Sequence, residues 1–126
     1  MHVHFIRGLP GSGKSTIARE YAARGYTHLE ADDFFLRAGR SVYDFEKSLI
    51  GHAHRICRAH LAAALMCGED VVISNTFCQR WEMRKYLDIC AELGATVTEE
   101  TAIGTYQNVH GVSSEVIARM RERWEE

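Results

Sequence analysis

Two hydrophobic periods alternate along the chain. Val3 to Ile6 is a short apolar run with the look of a strand, and Ser15–Ala23 carries a helical pattern that Gly25 ends. Thr27–Ala31 reads as a second strand region. From Asp44 to Met66 the residues Ile50, Ala53, Cys57, Leu61, Ala64 and Leu65 recur at helical spacing on one face, and Gly68 lies just past the end. Val71-Val72-Ile73 is wholly apolar and β-branched, as a strand covered on both faces must be. Gln79–Leu93 is a further helix ended by Gly94, and a strand from Ala95 to about Glu99 follows. Ser113 and Ser114 can cap a last helix, Glu115–Trp124.

Strands that alternate with helices imply right-handed crossovers and a parallel sheet with helices on both faces. In such an α/β domain the ligand lies beyond the carboxyl ends of the strands. The segments to inspect are therefore Gly8–Ser15, Asp32/Asp33, Ser74–Thr76 and Gly104–Gly111. Neither an internal repeat nor a linker divides the chain, which reads as one domain over residues 1–126; Gly39-Arg40-Ser41 and Gly104–Gly111 read as surface loops.

The first of these segments is the most specific. Gly8-Leu9-Pro10-Gly11-Ser12-Gly13-Lys14-Ser15-Thr16 fits the phosphate-binding pattern G-x-x-x-x-G-K-[ST], between a strand and a helix as the pattern requires. Glycines let successive N–H groups turn inward on phosphate oxygens, and the helix N-terminus adds unpaired donors and a positive dipole end. Lys14 is placed to reach the β- and γ-phosphates, and the Ser15 hydroxyl to hold Mg²⁺. These residues point to a nucleoside triphosphate as ligand.

Composition changes the picture only by exclusion. With 46% hydrophobic and 25% charged residues the chain is an ordinary globular one, and no apolar run approaches the length of a membrane span. Met1 leads straight into the first strand, so no signal peptide is expected and the chain is expected to be cytoplasmic, in a host cytoplasm if viral. Cys57, Cys67, Cys78 and Cys90 form no C-x-x-C pair and read mostly as small buried hydrophobes. A net charge of −2 argues against broad coating of nucleic acid. It leaves room for a local basic surface, since Arg37, Arg40, Lys47, Arg55 and Arg58 face only Asp44 and Glu46 in that stretch.

Asp32 and Asp33 end the second strand. A kinase needs a carboxylate there to orient and deprotonate the attacking hydroxyl, or to help hold Mg²⁺. Asp32 is the expected base, with Asp33 the alternative, and Asp32 and Ser15 are the expected metal contacts. Ser74-Asn75-Thr76 follows the third strand, where P-loop proteins usually place a metal-associated Asp; no carboxylate stands here, and Asn75 is suited only to hydrogen-bond a metal-bound water or the substrate. The Gly104–Gly111 stretch has the composition of a lid and contains no arginine. The phosphate-facing arginines must then come from Arg80, Arg84, Arg119 or Arg121, and His110 is a candidate phosphate contact. His52, His54, Cys57 and His60 have partly helical spacing suited to zinc, but Cys57 belongs to the apolar stripe and no further ligands complete a site, so packing or substrate contact is the better reading.

These residues together resemble the polynucleotide-kinase-like P-loop kinases, including phage 5′-hydroxyl polynucleotide kinases and phage hydroxymethyluracil DNA kinases. The resemblance is carried by Arg7–Thr16, Ala31-Asp32-Asp33-Phe34-Phe35, Ala53-His54-Arg55-Ile56-Cys57, Val72–Thr76 and Asn108–Val112, ahead of Ile117 and Met120. It implies a P-loop NTPase fold of the adenylate-kinase-like group, three-layer α/β/α with a short parallel sheet in strand order 2-3-1-4. It implies transfer of the γ-phosphate of ATP, with Mg²⁺, to a hydroxyl of DNA or RNA. The acceptor is then a 5′ end or the hydroxymethyl group of 5-hydroxymethyluracil in DNA. Lys14 and Ser15 match the family's phosphate and Mg²⁺ contacts, Asp32 matches its general base, and Arg37 stands near its arginine for the substrate's neighbouring phosphate. Two positions depart from the pattern: Asn75 replaces an Asp, and Gln107 stands where an arginine is common.

Two other classes remain open at this point. One is a small-molecule kinase for a nucleoside, nucleotide or sugar; the other is a nucleotide-binding module without turnover, suggested by Asn75 and the arginine-poor lid. A GTPase is disfavoured because no N-K-x-D occurs.

Overall fold

Four strands form one parallel sheet in the order β2-β3-β1-β4, built from β1 (His2–Arg7), β2 (Thr27–Leu29), β3 (Val71–Ser74) and β4 (Thr96–Thr101). The computed structural model describes residues 1–32, 47–104 and 113–126, so Asp33, Arg37, the Gly39–Ser41 loop, Gln107 and His110 lie outside the described residues. The four helices described are α1 (Lys14–Ala23), α2 (Lys47–Met66), α3 (Trp81–Leu93) and α4 (Ser114–Glu122). The strand order is the expected one.

Strand alternation divides the core. Ile6 and Val72 face α1, where Ile17, Ala18 and Tyr21 cover them together with Ala102. Val3, Phe5, Leu29, Val71 and Ile73 face the other way, onto Ala53, Cys57, Leu61 and Leu65 of α2 and Met83, Tyr86 and Cys90 of α3. The result is a three-layer α/β/α arrangement. β1 and β3 are central and almost wholly buried, which explains the apolar run Val71–Ile73 and why even His4 and Arg7 of β1 are out of solvent. β4 lies at the edge of the described sheet, and its Thr/Glu-rich sequence is mostly exposed.

Several boundaries differ from the pattern read along the chain. β2 ends at Leu29 rather than Ala31, because Ala31 and Asp32 already turn away from the ladder. β4 extends to Thr101, since it pairs with β1 along that strand's whole length. Ile50 is exposed, not part of the apolar stripe; Leu49, one i,i+4 step before Ala53, packs on the core instead. Cys67 is exposed, whereas Cys57, Cys78 and Cys90 are buried, and none of the four is in a disulfide.

α4 begins with the Ser113 hydroxyl accepting from Val116 N at 3.3 Å. It stops at Glu122, short of the expected Trp124, because the chain after it turns down onto the segment that leaves β3. There Glu125 N donates to Cys78 O at 2.7 Å, and Arg80 donates to Glu126 O at 2.7 Å. The anchor is Arg7, an arginine that is 1% exposed at the end of β1. Its Nε donates to Phe77 O at 3.0 Å, its Nη2 donates to the Glu125 carbonyl, and its guanidinium lies 4.5 Å from the centroid of the Trp124 ring. Phe77 is buried with φ of 44°, a left-handed turn at the segment whose Phe77 carbonyl accepts from Arg7. Trp124→Ala should therefore cost about 1–3 kcal/mol of unfolding free energy, by losing the ring's burial and the cation–π contact together. Urea denaturation measures this, and a change below about 0.5 kcal/mol, the scatter of ordinary surface substitutions, would show that the tail does not brace Arg7.

Candidate active site

At the carboxyl edge of the sheet, Gly8–Lys14 makes a tight loop between β1 and α1. It is stitched to its neighbours by backbone bonds from Gly8 N to Thr76 O (3.3 Å), Ala102 N to Arg7 O (2.7 Å) and Gly104 N to Ser12 O (3.0 Å). Gly8 has no room for a side chain: a Cβ there would stand 2.3 Å from Ser12 Oγ and 3.2 Å from the Ala102 Cβ. Gly13 starts the helix with φ of 96°, in the left-handed region that glycine adopts without strain.

The loop's polar groups suit an anion. No side chain caps α1, and its first turn holds no acidic residue, so the helix N-terminus keeps its N–H donors and its positive end. Ser12 Oγ is buried with no protein partner. Lys14 Nζ donates to Gly8 O at 2.8 Å and Leu9 O at 3.1 Å. Burial pulls the Lys14 ammonium down from its ordinary 10.5 to about 8, against the opposing pull of the Asp32 and Glu30 carboxylates. This donor set fits a polyphosphate. The Ser15 hydroxyl and the Glu30 and Asp32 carboxylates are hard oxygen donors of the kind Mg²⁺ takes, and would be the groups to hold it beside a bound polyphosphate.

The depressed Lys14 has a measurable consequence. Phosphate oxygens favour the ammonium, so binding raises the Lys14 pKa above about 8. Near pH 8 roughly half of the free protein must then take up a proton on binding ATP, whereas near pH 6.5 the lysine is already charged. Titration calorimetry of Mg-ATP in buffers of different ionisation enthalpy should show that uptake at pH 8 and not at pH 6.5. Equal uptake at both would remove Lys14 from the contact.

Asp32, the expected base, lies in the turn after β2, and its charge opposes the burial that lowers the Lys14 pKa. Asn75 faces the opposite side of the sheet from Ser74. It is buried, and its Oδ1 accepts from Ala31 N at 2.8 Å. Its contact within the chain is thus with the backbone just before Asp32. Arg80 binds Glu99 at 2.7 Å and the tail carbonyl of Glu126, at the start of α3. Arg84 is exposed beside Asp88, and Arg119 and Arg121 are exposed on α4.

The four residues weighed for zinc are spread over two sides of α2. His54 Nδ1 and the Tyr86 hydroxyl share a hydrogen bond of 2.7 Å, and Cys57 lies in the core, whereas His52 and His60 are exposed. Burial and Arg58 hold His54 below its ordinary pKa, and burial pushes the Tyr86 hydroxyl well above its own, which favours the neutral form of both. Sequence reading missed a second polar group, on the α1 face. The Ser74 hydroxyl is 3.1 Å from Glu30 Oε2 and 2.7 Å from His28 Nε2. Counting the alternation onward from Val72 would have put Ser74, not Asn75, on the face of the loop.

A strand–glycine loop–helix at the switch point of a parallel sheet, with a buried lysine and a carboxylate beside it, defines a P-loop kinase-like domain. The family comparison agrees: residues 3–101 match the AAA domain family, and the chain belongs to it. Human NEDD4-binding protein 2 is 31% identical over 132 residues, which take in 95% of this chain but 7% of that protein. Among solved structures, the Pnkp1/Rnl/Hen1 RNA repair complex contains a chain that superposes with a TM-score of 0.68 at 19% identity, over 98% of this chain and 38% of that one. The Mycobacterium tuberculosis APS kinase CysC, solved with AMPPNP and APS, superposes with a TM-score of 0.56 at 19% identity, over 94% of this chain and 66% of that one. Likeness at these identities establishes the shared fold. The chain spans well under half the length of the first two proteins.

Proposed function

We propose that this domain transfers the γ-phosphate of ATP to a hydroxyl group of a nucleic acid. The observation that carries the reading is the convergence of Lys14 and Asp32: a buried ammonium in the phosphate loop, with a carboxylate close enough to act on it. Lys14 and the N–H groups of Gly11–Thr16 hold the triphosphate, and Asp32 accepts the proton of the acceptor hydroxyl. The freed oxygen attacks the γ-phosphorus, the bond to the bridging oxygen breaks, and ADP leaves with the charge that Lys14 offsets. Mg²⁺, held through the Ser15 hydroxyl with help from Asp32, supplies charge neutralisation at the phosphate oxygens. Asp33, Arg37 and His110 complete this reading as a second carboxylate and two substrate contacts; Asn75 and Arg80 enter it through the segments they brace.

The nucleic-acid acceptor is supported by the likeness to the RNA repair chain, whose TM-score exceeds that of the APS kinase. The exposed Arg55 of α2, a residue of the stretch on which the resemblance rests, adds positive charge suited to a strand. A small-molecule acceptor is the second reading, favoured by the APS-bound relative. Initial rates with γ-labelled ATP on 5′-hydroxyl RNA, 5′-hydroxyl DNA, hydroxymethyluracil-containing DNA and adenosine phosphosulfate separate them. Label on a nucleic acid supports the proposal; label on adenosine phosphosulfate alone overturns it.

A further inference from the structure

We propose that Glu30 is the carboxylate that steadies the metal ion of this nucleotide site, a role for which the end of β3 carries no acidic side chain. The inference rests on reading the loop as a site for a metal-bound nucleotide, and it adds a residue to it.

Three observations lead there. The β3 residue that faces α1 and the loop is Ser74, paired in the ladder with Ile6 two residues before Gly8. Asn75 is on the other face, held to Ala31 N. The position next to the phosphate site therefore holds a short neutral hydroxyl. Second, Glu30 follows β2, the neighbouring strand, and its Oε2 lies 3.1 Å from Ser74 Oγ. Adjacent strands are about 4.8 Å apart, a gap that the extra methylene of a glutamate helps to bridge. Third, the Glu30 carboxylate meets Ser74 on the side of the sheet that Val72 shares with α1, the helix that the phosphate loop opens.

The hydrogen-bond directions fix the carboxylate. Ser74 has one hydroxyl proton, and a carboxylate can only accept, so that proton goes to Glu30. Ser74 Oγ must then accept from His28 Nε2–H at 2.7 Å, and His28 Nε2 itself lies 3.7 Å from Glu30 Oε2. Glu30 is 17% exposed at its side chain, so its charge is poorly screened by solvent. Magnesium keeps several of its waters, and Glu30 would serve by accepting from one of them. Ser12 Oγ, buried in the loop without a protein partner, is a separate sign that the loop is built around a bound group.

Glu30→Gln is the discriminating variant, because the amide oxygen can still accept from Ser74 while the charge is lost. Free Mn²⁺, counted by electron paramagnetic resonance in the presence of ATP, reports metal affinity without any turnover. Glu30→Gln should weaken Mn²⁺ binding to the ATP complex by about 10- to 100-fold. Metal-free ATP should bind the variant as tightly as the wild type, or more so. Glu30→Gln combined with Ser74→Asp should recover the metal affinity by returning a carboxylate to the strand end, and that recovery also excludes misfolding. Unchanged Mn²⁺ affinity in Glu30→Gln, or an equal loss of ATP with and without metal, would overturn the role of Glu30 alone. A wild type that binds no ATP in either condition would overturn the nucleotide reading as well.

Discussion

Lys14→Ala should lower phosphate transfer by about 10²-fold or more while the protein stays folded. The side chain has two roles that separate cleanly. Within the chain it donates to the carbonyls of Gly8 and Leu9, and its ammonium is held in a place where burial disfavours the charge. Removing it takes away a desolvated charge and exposes two carbonyls to water, so its structural cost is small. Towards the triphosphate it is the loop's one cationic side chain, and the alanine leaves the developing charge of the departing ADP without that partner. Steady-state transfer rates beside a thermal melt measure both roles. Near-normal activity would remove Lys14 from the chemistry, and a collapsed melting transition would make its role structural.

The second large effect is expected at Asp32. Asp32→Asn keeps the size of the side chain and removes the proton acceptor, so transfer should fall by about 10²- to 10⁴-fold. ATP binding should survive, since the change removes a negative charge from the neighbourhood of phosphates. The same substitution leaves a signature at Lys14. The Asp32 carboxylate raises the Lys14 pKa, so its loss must move that pKa below about 8. The pH above which ATP affinity declines should therefore shift downward in Asp32→Asn, and calorimetric titrations across pH 6.5–9 would record it. An unmoved pH profile would mean that Asp32 does not face Lys14.

Much of this site is visible in the residues themselves. The phosphate loop is legible because glycine spacing, lysine and hydroxyl are local in sequence, and the strand and helix around it have clear periods. The buried pair Val71-Val72 announces a central strand, and the structure places it between β2 and β1. What sequence hides is contact between distant segments. Glu30 and Ser74 are 44 residues apart, and nothing links them until β2 and β3 are known to be neighbours. Arg7 reads as an ordinary charged residue after a strand; only the fold shows it buried against the carbonyls of Phe77 and Glu125. Ile50 was misplaced for a simpler reason, since it adjoins Leu49 and either residue can carry the apolar stripe into the first turns of α2.

The Arg7 cluster also gives the tail a place in the account. β1 ends at Arg7 and the phosphate loop begins at Gly8, so the residues after α4 grip the chain one residue from the loop. Gly104 is bonded to Ser12 on the loop's other side.

The central claim is transfer of the γ-phosphate to a nucleic-acid hydroxyl, and one measurement tests it most directly. A 5′-hydroxyl oligonucleotide is incubated with γ-labelled ATP and Mg²⁺, with the wild type and Asp32→Asn in parallel, and the labelled nucleotide is then located by end-group digestion. The account expects label on the terminal 5′ oxygen with the wild type and essentially none with Asp32→Asn. An unlabelled oligonucleotide from a wild type that binds ATP, or equal labelling by both proteins, would contradict it.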